Sequence, residues 1–126
     1  MKLVVAIAFG GAIGAVARHY TAGQVMRLSG GGFPWGTVAV NVLGSFLMGA
    51  LVELMALKWS PSQELRAFLT VGILGAFTTF STFSLDVALL SQRGAPFAAL
   101  AYVVISVLAA IGAFLAGLFL LRQVLT

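Results

Sequence analysis

Four long stretches of apolar residues, separated by short polar connections, constrain this chain more than any other feature. A helix that crosses a bilayer needs about 20 mainly apolar residues, and four segments reach that length: about 3–26, 34–57, 65–90 and 96–121. Only 8% of the 126 residues are charged and 61% are hydrophobic, whereas soluble domains carry about 25% charged residues. The sequence therefore predicts an all-α membrane protein, a single domain over 1–126 with four transmembrane helices.

Helix-breaking residues lie between the apolar stretches. The segments "SGGGFP" (29–34) and "RGAP" (93–96) combine glycine with a proline near the start of the next helix, which is typical of a helix end followed by a new helix. The segment "SPSQ" (60–63) has the pattern of a capping box, with Ser60 as the expected N-cap of the third span. None of these connections is long enough to fold as a separate unit.

The N-terminal segment has a second interpretation. Lys2, the apolar run and Ala15–Ala17 are typical of a secretory signal with a small-residue cleavage site. Removal of such a leader would leave three spans. We favour four spans, because the apolar residues continue past Arg18 toward Met26.

The basic residues are scattered along the chain and indicate only weakly which way the protein is oriented in the membrane. The side that holds both termini would carry four of the seven: Lys2, Lys58, Arg66 and Arg122. Three lie on or toward the opposite side: Arg18, Arg27 and Arg93. Cytoplasmic loops usually carry the excess of Lys and Arg, so this near balance fits insertion in both orientations as well as a single orientation with the termini inside. No basic patch is present, and we expect no nucleic-acid partner.

No group of catalytic or metal-binding side chains is visible in the sequence. The chain has no cysteine and one histidine, His19, near the end of a span. Glu53, Glu64 and Asp86 are far apart and fall in no nucleophile or metal-ligand motif. The segment "GGAIGA" (10–15) lies inside a span rather than after a strand, so it is no dinucleotide-binding motif. We therefore expect that the protein is not an enzyme.

Polar side chains recur inside the apolar stretches, although each costs free energy in hydrocarbon unless it finds a partner or lines a hydrated cavity. On the second span, Thr37, Asn41 and Ser45 are spaced four residues apart and share one helix face. Tyr102 and Ser106 have the same spacing on the fourth span. Contacts between helices and a hydrated pathway both explain such stripes, and both interpretations remain open here.

The segment "GAFTTFSTFS" (75–84) interrupts the third span. Gly75 and the Thr78–Thr79 pair weaken a helix, so we predict a break at mid-membrane, where freed carbonyl groups can bind a small cation. Beyond the break, Phe80 and Phe83 lie on one helix face. The positive edges of two such rings can flank an anion, although two phenylalanines at helical spacing are more often ordinary core residues.

Taken together, these motifs resemble the Fluc family of fluoride channels, also called CrcB proteins. The similarity covers essentially the whole chain and is carried by "GGAIGAVARHY" (10–20), "GTVAVNVLGSFLMG" (36–49) and "GILGAFTTFSTFS" (72–84). The resemblance implies a fluoride-selective channel that lowers cytoplasmic fluoride by passive export. It also implies a multi-pass protein of the cell inner membrane, built as a dual-topology antiparallel homodimer with two pores.

The resemblance further implies roles for individual residues. The fluoride pore is expected to be lined by six side chains: Asn41, Phe80, Phe83, Thr37, Tyr102 and Ser106. Arg18 would lie near a pore vestibule. A structural sodium ion (Na+) at the dimer centre would be bound by the backbone carbonyl groups of Gly75 and Thr78. At Ala110 the chain departs from some family members, which have a second serine in the polar track of the fourth span.

Neutral hydrogen-bond donors suit the chemistry of fluoride. This anion is small and strongly hydrated, so a pore must replace its water with donors, and neutral donors do so without a fixed charge that would trap the ion. A negative-inside membrane potential would then drive fluoride outward with about 2.3 kcal/mol per charge per 100 mV.

Two other functions are compatible with a small four-span protein. A small multidrug-resistance-type exporter couples transport to protons through a membrane-embedded carboxylate, usually in the first span, and here no acidic residue precedes Glu53. A packing subunit of a larger membrane complex would conduct no ion on its own. Passive fluoride efflux from liposomes separates these functions from a fluoride channel.

Overall fold

The computed structural model describes residues 1–126 and consists of helices and short connections. In chain order the helices are α1 (Lys2–Ser29), α2 (Trp35–Leu57), α3 (Gln63–Ala67), a π-helical segment (Phe68–Leu74), α4 (Gly75–Phe77), α5 (Phe80–Gln92) and α6 (Pro96–Leu125). The segments from α3 to α5 together form a third span, Gln63–Gln92, so that four helical spans are long and apolar enough to cross a membrane. The predicted all-α, four-span architecture is therefore confirmed.

The third span begins with a different cap from the one predicted. Its N-cap is Ser62, whose hydroxyl accepts a hydrogen bond from the Leu65 N–H at 3.2 Å. The prediction of Ser60 is wrong, because the helix begins at Gln63, after Pro61 rather than with it. This start places Glu64 in the first turn, where its negative charge is favoured by the helix dipole.

The helices α2 and α6 pack with their backbones in contact. A Cβ atom added at Gly49 would overlap the carbonyl oxygen of Phe114, and one added at Gly117 would overlap that of Phe46. The two glycines thus remove the side chains that would hold the helices apart, a common solution for helix packing in membranes. This pairing brings the backbones of α2 and α6 into direct contact.

An ion pair joins the same two helices near one end. Arg122 Nε donates to Glu53 Oε1 at 2.6 Å, and a second guanidinium nitrogen lies 3.4 Å from Glu53 Oε2. The side chain of Glu53 is only 4% exposed, whereas that of Arg122 is 54% exposed. The arginine therefore supplies the charge partner that a buried carboxylate needs.

The first helix packs on the third span through small residues. Gly10 lies against the Phe68 carbonyl group and Gly72, and Gly14 lies against the Ile73 carbonyl group. The first span thus contacts the π-helical segment, where the backbone is already wider than in an α-helix. This contact positions the part of the third span that leads into its interruption.

The third span is interrupted halfway along its length. Helix α4 ends at Phe77, and the next two residues are extended, with φ −85° and ψ 157° at Thr78 and φ −152° and ψ 118° at Thr79. Helix α5 restarts at Phe80, and the Thr79 hydroxyl caps it by accepting a hydrogen bond from the Thr82 N–H at 3.1 Å. The break lies at the threonine pair, where the sequence predicts it.

Candidate functional site at the helix break

The amide side chain of Asn41 on α2 replaces the backbone hydrogen bonds that Thr79 loses at the break. Asn41 Nδ2 donates to the Thr79 carbonyl oxygen at 3.0 Å, and the Thr79 N–H donates to Asn41 Oδ1 at 2.7 Å. The amide group therefore pairs with an extended residue as a neighbouring strand would. A primary amide carries two N–H donors, so one donor of Asn41 is left for another partner.

An open cavity of about 330 Å³ lies beside this pair. Its polar lining comes from Asn41, Ser45, Thr78, Thr79 and Ser106, and its aromatic lining from Phe80 and Phe83. Ser106 is 5% exposed, and its hydroxyl is buried without a hydrogen-bond partner. A buried hydroxyl without a partner is costly, so the cavity offers a donor that a small polar ligand can use.

The two phenylalanines differ sharply in burial. Phe83 is 7% exposed and Phe80 is 77% exposed. Their ring centroids are 5.3 Å apart at an interplanar angle of 58°, which is a contact distance for two rings. No ion fits between the two rings of one chain, and they form one aromatic wall of the cavity.

A second cavity of about 340 Å³ has Thr79 in common with the first. The side chains that line it include those of Arg18, His19, Thr37, Thr82 and Asp86. Unlike the first cavity, it is lined by charged groups of both signs. Arg18 and Thr37, which the resemblance assigns to the vestibule and to the polar track, thus lie at the same opening.

The Asp86 carboxylate accepts hydrogen bonds from the hydroxyls of two predicted pore residues, Thr37 and Tyr102. The hydroxyl of Thr37 donates to Asp86 Oδ2 at 2.8 Å, and the hydroxyl of Tyr102 donates to the same oxygen at 2.9 Å. Tyr102 is fully buried, and its ring lies 5.1 Å from that of Phe83. These three side chains join α2, α5 and α6, and two of them, Thr37 and Asp86, line the second cavity.

Sequence reasoning missed the part that Asp86 has in this network. It treated Asp86 as an isolated acid, because no catalytic or metal-ligand motif surrounds it. One signal was available: Asp86 follows Phe83 by three residues and therefore shares its helix face. An acid on the same face as a residue assigned to the pore should have been placed in the same polar track.

The carbonyl groups of Gly75 and Thr78 have lost their regular helical donors. In an unbroken helix the Gly75 carbonyl would accept from the Thr79 N–H, but that N–H donates to Asn41. The Thr78 carbonyl would accept from the Thr82 N–H, which donates to the Thr79 hydroxyl instead. Carbonyl oxygens of this kind suit a hard cation, and no cluster of acidic, histidine or cysteine side chains that could hold a metal lies in the chain. Neutral oxygens without a carboxylate fit a monovalent ion.

The fold and the site together define a multi-pass membrane protein with a broken helix and two donor-lined cavities beside the break. In membrane proteins, irregular backbone at this depth is tolerated where it is buried in protein or lines a water-filled cavity. Helix breaks are also where ion-binding sites of transport proteins occur. The class is therefore that of a small ion-handling membrane protein.

The family model described as "CrcB-like protein, Camphor Resistance (CrcB)" matches residues 5–118, and the chain belongs to this family. A protein of Rhodospirillum centenum named fluoride-specific ion channel FluC is 56% identical over 122 residues, which cover 97% of each chain. Proteins of the same name from Chelativorans sp. and Agrobacterium fabrum are 57% identical over 119 residues and 51% identical over 117 residues. These matches cover 94% and 93% of this chain, and 95% and 94% of the relatives.

The family membership confirms the resemblance found in the motifs. It also agrees with the expectation that the protein is not an enzyme, since the relatives are named as ion channels. Four apolar helices and this membership together make the chain a multi-pass membrane protein.

Proposed function

We propose that this chain is a fluoride-selective channel that lets fluoride leave the cytoplasm passively across the inner membrane. The observation that carries the proposal is the cavity beside the break, where neutral donors of Asn41 and Ser106 are free and no charged side chain is present. The names of the relatives, which span almost the whole chain, support fluoride as the ion.

Selectivity follows from the type of donor. Fluoride is a small, strong hydrogen-bond acceptor, so the hydroxyl of Ser106 and the free N–H of Asn41 replace its hydration water. The edges of Phe80 and Phe83, where the ring quadrupole is positive, add a weak attraction that does not trap the ion. Chloride is larger and a weaker acceptor, so it gains less from the same groups.

Of the remaining predicted pore residues, Thr37 lines the second cavity, and Tyr102 is linked to it through Asp86. Thr37 and Tyr102 hold Asp86 through their hydroxyls, and this leaves each free to exchange that bond for one to a passing anion. Arg18 lines the same opening, where its charge attracts anions from solution. The second cavity is therefore the vestibule of the pathway.

The working unit is a homodimer of two chains in opposite orientations. In one chain the Phe80 ring is 77% exposed and the cavity at the break is open, so a single chain does not enclose a narrow path. A second copy that covers this face would close it. The nearly balanced basic residues of the two sides fit insertion in both orientations.

A sodium ion at the dimer centre would be held by backbone oxygens. Gly75 is exposed in one chain, and its carbonyl and that of Thr78 have lost their regular donors. Two carbonyls from each of two chains would supply four neutral oxygens. The ion would be structural, and its part would be to fix the crossing of the two third spans.

The function is tested by passive efflux from liposomes that contain the purified protein and potassium fluoride. A potassium ionophore provides the counter-current, and a fluoride electrode records the release. We expect rapid fluoride release and no comparable chloride release from matched vesicles. Equal chloride flux would contradict the selectivity, a need for a proton gradient would favour the exporter, and absence of flux would favour the packing subunit.

Dimer topology and the meeting of the third spans are tested separately with introduced cysteines, since the chain has none of its own. A Thr126→Cys variant should be labelled in cells by an impermeant thiol reagent from both sides of the membrane. A Gly75→Cys variant should form disulfide-linked dimers, whereas Gly112→Cys, at a position of α6 where a Cβ meets open space, should not. Labelling from one side only would contradict dual topology, and failure of Gly75→Cys to cross-link would contradict the central crossing.

A further inference from the structure

Four serine and threonine hydroxyls of the third span satisfy themselves on their own helix. Thr70, Thr78, Ser84 and Ser91 each donate to the carbonyl oxygen four residues earlier, at distances of 2.9 to 3.0 Å. This local bond is the usual solution for a serine or threonine in an apolar helix. A helical hydroxyl that does not form it is available for another partner.

Two serines that do not form this bond, Ser45 and Ser106, line the cavity of about 330 Å³. The Ser106 hydroxyl is buried without a partner. Ser45 is not among the helical hydroxyls that donate to the backbone. The two serines come from different helices, α2 and α6, and face one space. Ser45 follows Asn41 by four residues and so lies on the same face of α2, one turn away.

The polar side chains that face this space offer hydrogen-bond donors and carry no negative charge. The Asn41 oxygen accepts the Thr79 N–H, and one N–H of the amide remains without a partner. No carboxylate or other charged side chain lines the cavity to attract a cation. An anion needs donors, and the two hydroxyls and the amide supply three.

We propose that Ser45 is a third hydrogen-bond donor to the anion in this cavity, and that Ser45 and Ser106 form an anion position one helical turn away from Asn41. The ligand is a small, strongly accepting anion, which is fluoride under the function proposed above, and the inference rests on that function. Ser45 thereby lowers the cost of removing water from the ion and favours fluoride over chloride, the weaker acceptor.

The experiment compares Ser45→Ala with Ser84→Ala in the liposome assay. Ser84 is a helical serine whose hydroxyl is bonded to the Phe80 carbonyl oxygen, so its removal deletes a hydroxyl that is not offered to the cavity. We expect Ser45→Ala to lower fluoride flux at least about fivefold, the factor expected for one lost net hydrogen bond of ordinary strength. Ser84→Ala should conduct at the wild-type rate.

A matched pair of larger variants separates the hydroxyl from side-chain volume. Ser45→Thr and Ser45→Val have nearly the same shape, but only threonine keeps the hydroxyl. We expect Ser45→Thr to retain flux and a high fluoride-to-chloride ratio, and Ser45→Val to lose both. The fluoride concentration at half-maximal flux should rise in Ser45→Val, because the ion binds less well.

The outcomes distinguish this inference from the proposed function. Wild-type protein that releases no fluoride would overturn the function itself. Wild-type protein that conducts, with Ser45→Ala equal to it or with Ser45→Thr and Ser45→Val equal to each other, would overturn the part of Ser45 and leave the function standing. A bound structural water at Ser45 predicts the second result.

Discussion

Two neighbouring parts of α2 make contacts of opposite kinds. One packs against α6, and the other pairs with the break in the third span. At Gly49 and Gly117 the backbones of α2 and α6 touch, and every carbonyl keeps its place in a helix. About two turns earlier on α2, the Asn41 side chain pairs with Thr79, where the helical bonding of the third span stops. The first region holds the helices together, and the second exposes backbone and amide groups to a cavity.

This difference indicates how a chain with few polar residues builds an ion pathway. The packed α2–α6 pair supplies a face on which Asn41 and Ser106 are held. The break supplies the space, because a continuous third helix would fill the gap that the cavity now occupies. Stability and function are thus separable, and mutations in the two regions should have different signatures.

The largest effect should follow from separating α2 and α6. In Gly117→Val the side chain would overlap the Phe46 carbonyl group, and overpacking of this kind costs about 1–3 kcal/mol or more. We expect little folded protein on a sizing column and a lower melting temperature for what remains. Gly112→Ala is the control on the same helix, since a Cβ there meets open space, and it should fold normally. Equal behaviour of the two variants would contradict the close packing.

An intermediate effect should follow from replacing the two rings of the break region. Phe80→Ile and Phe83→Ile keep apolar volume but remove the quadrupole, so fluoride flux should fall in both. Phe83 is buried within one chain, and its replacement should also lower stability by about 1 kcal/mol. The melting temperature of Phe80→Ile should change only if a second chain covers that ring. Full flux in both variants would assign the rings to packing alone.

The smallest effect on flux should come from the Glu53–Arg122 pair, which lies in the packed region. Arg122→Ala leaves a buried carboxylate without its partner, whereas Glu53→Gln leaves a half-exposed arginine in contact with solvent. The melting temperature should therefore fall more in Arg122→Ala than in Glu53→Gln. Flux per folded protein should stay at the wild-type rate in both. A loss of flux without a loss of stability would place this pair in the pathway instead.

The fold could be predicted from the sequence, because the length and apolarity of a segment are enough to indicate a membrane span. The break could be predicted as well, because glycine and paired threonines weaken a helix wherever they occur. The N-cap at Ser62 was missed for a local reason: Ser60 and Ser62 flank Pro61, and both are residue types that cap helices.

The site was harder to predict from the sequence, because its hydrogen-bonded pairs join residues that are distant in sequence. Helical spacing places Thr37 and Asn41 on one face, but it does not state that Asn41 pairs with the backbone of Thr79 or that Thr37 donates to Asp86. The unequal burial of Phe80 and Phe83 also depends on tertiary packing. Residue types at the site were predictable, whereas their partners required the arrangement of three helices.

The claim that Asn41 builds the pathway by pairing with the broken helix is tested most directly by fluoride efflux through Asn41→Leu. Leucine has a similar volume but leaves the N–H and carbonyl group of Thr79 unpaired, and each such buried group costs about 1–3 kcal/mol. The variant also lacks the free donor of the cavity. We predict that it still elutes as folded protein, because the α2–α6 contact is intact, and that its fluoride flux falls by at least about tenfold, the factor for 1.4 kcal/mol. Folded Asn41→Leu protein that releases fluoride at the wild-type rate would contradict this account.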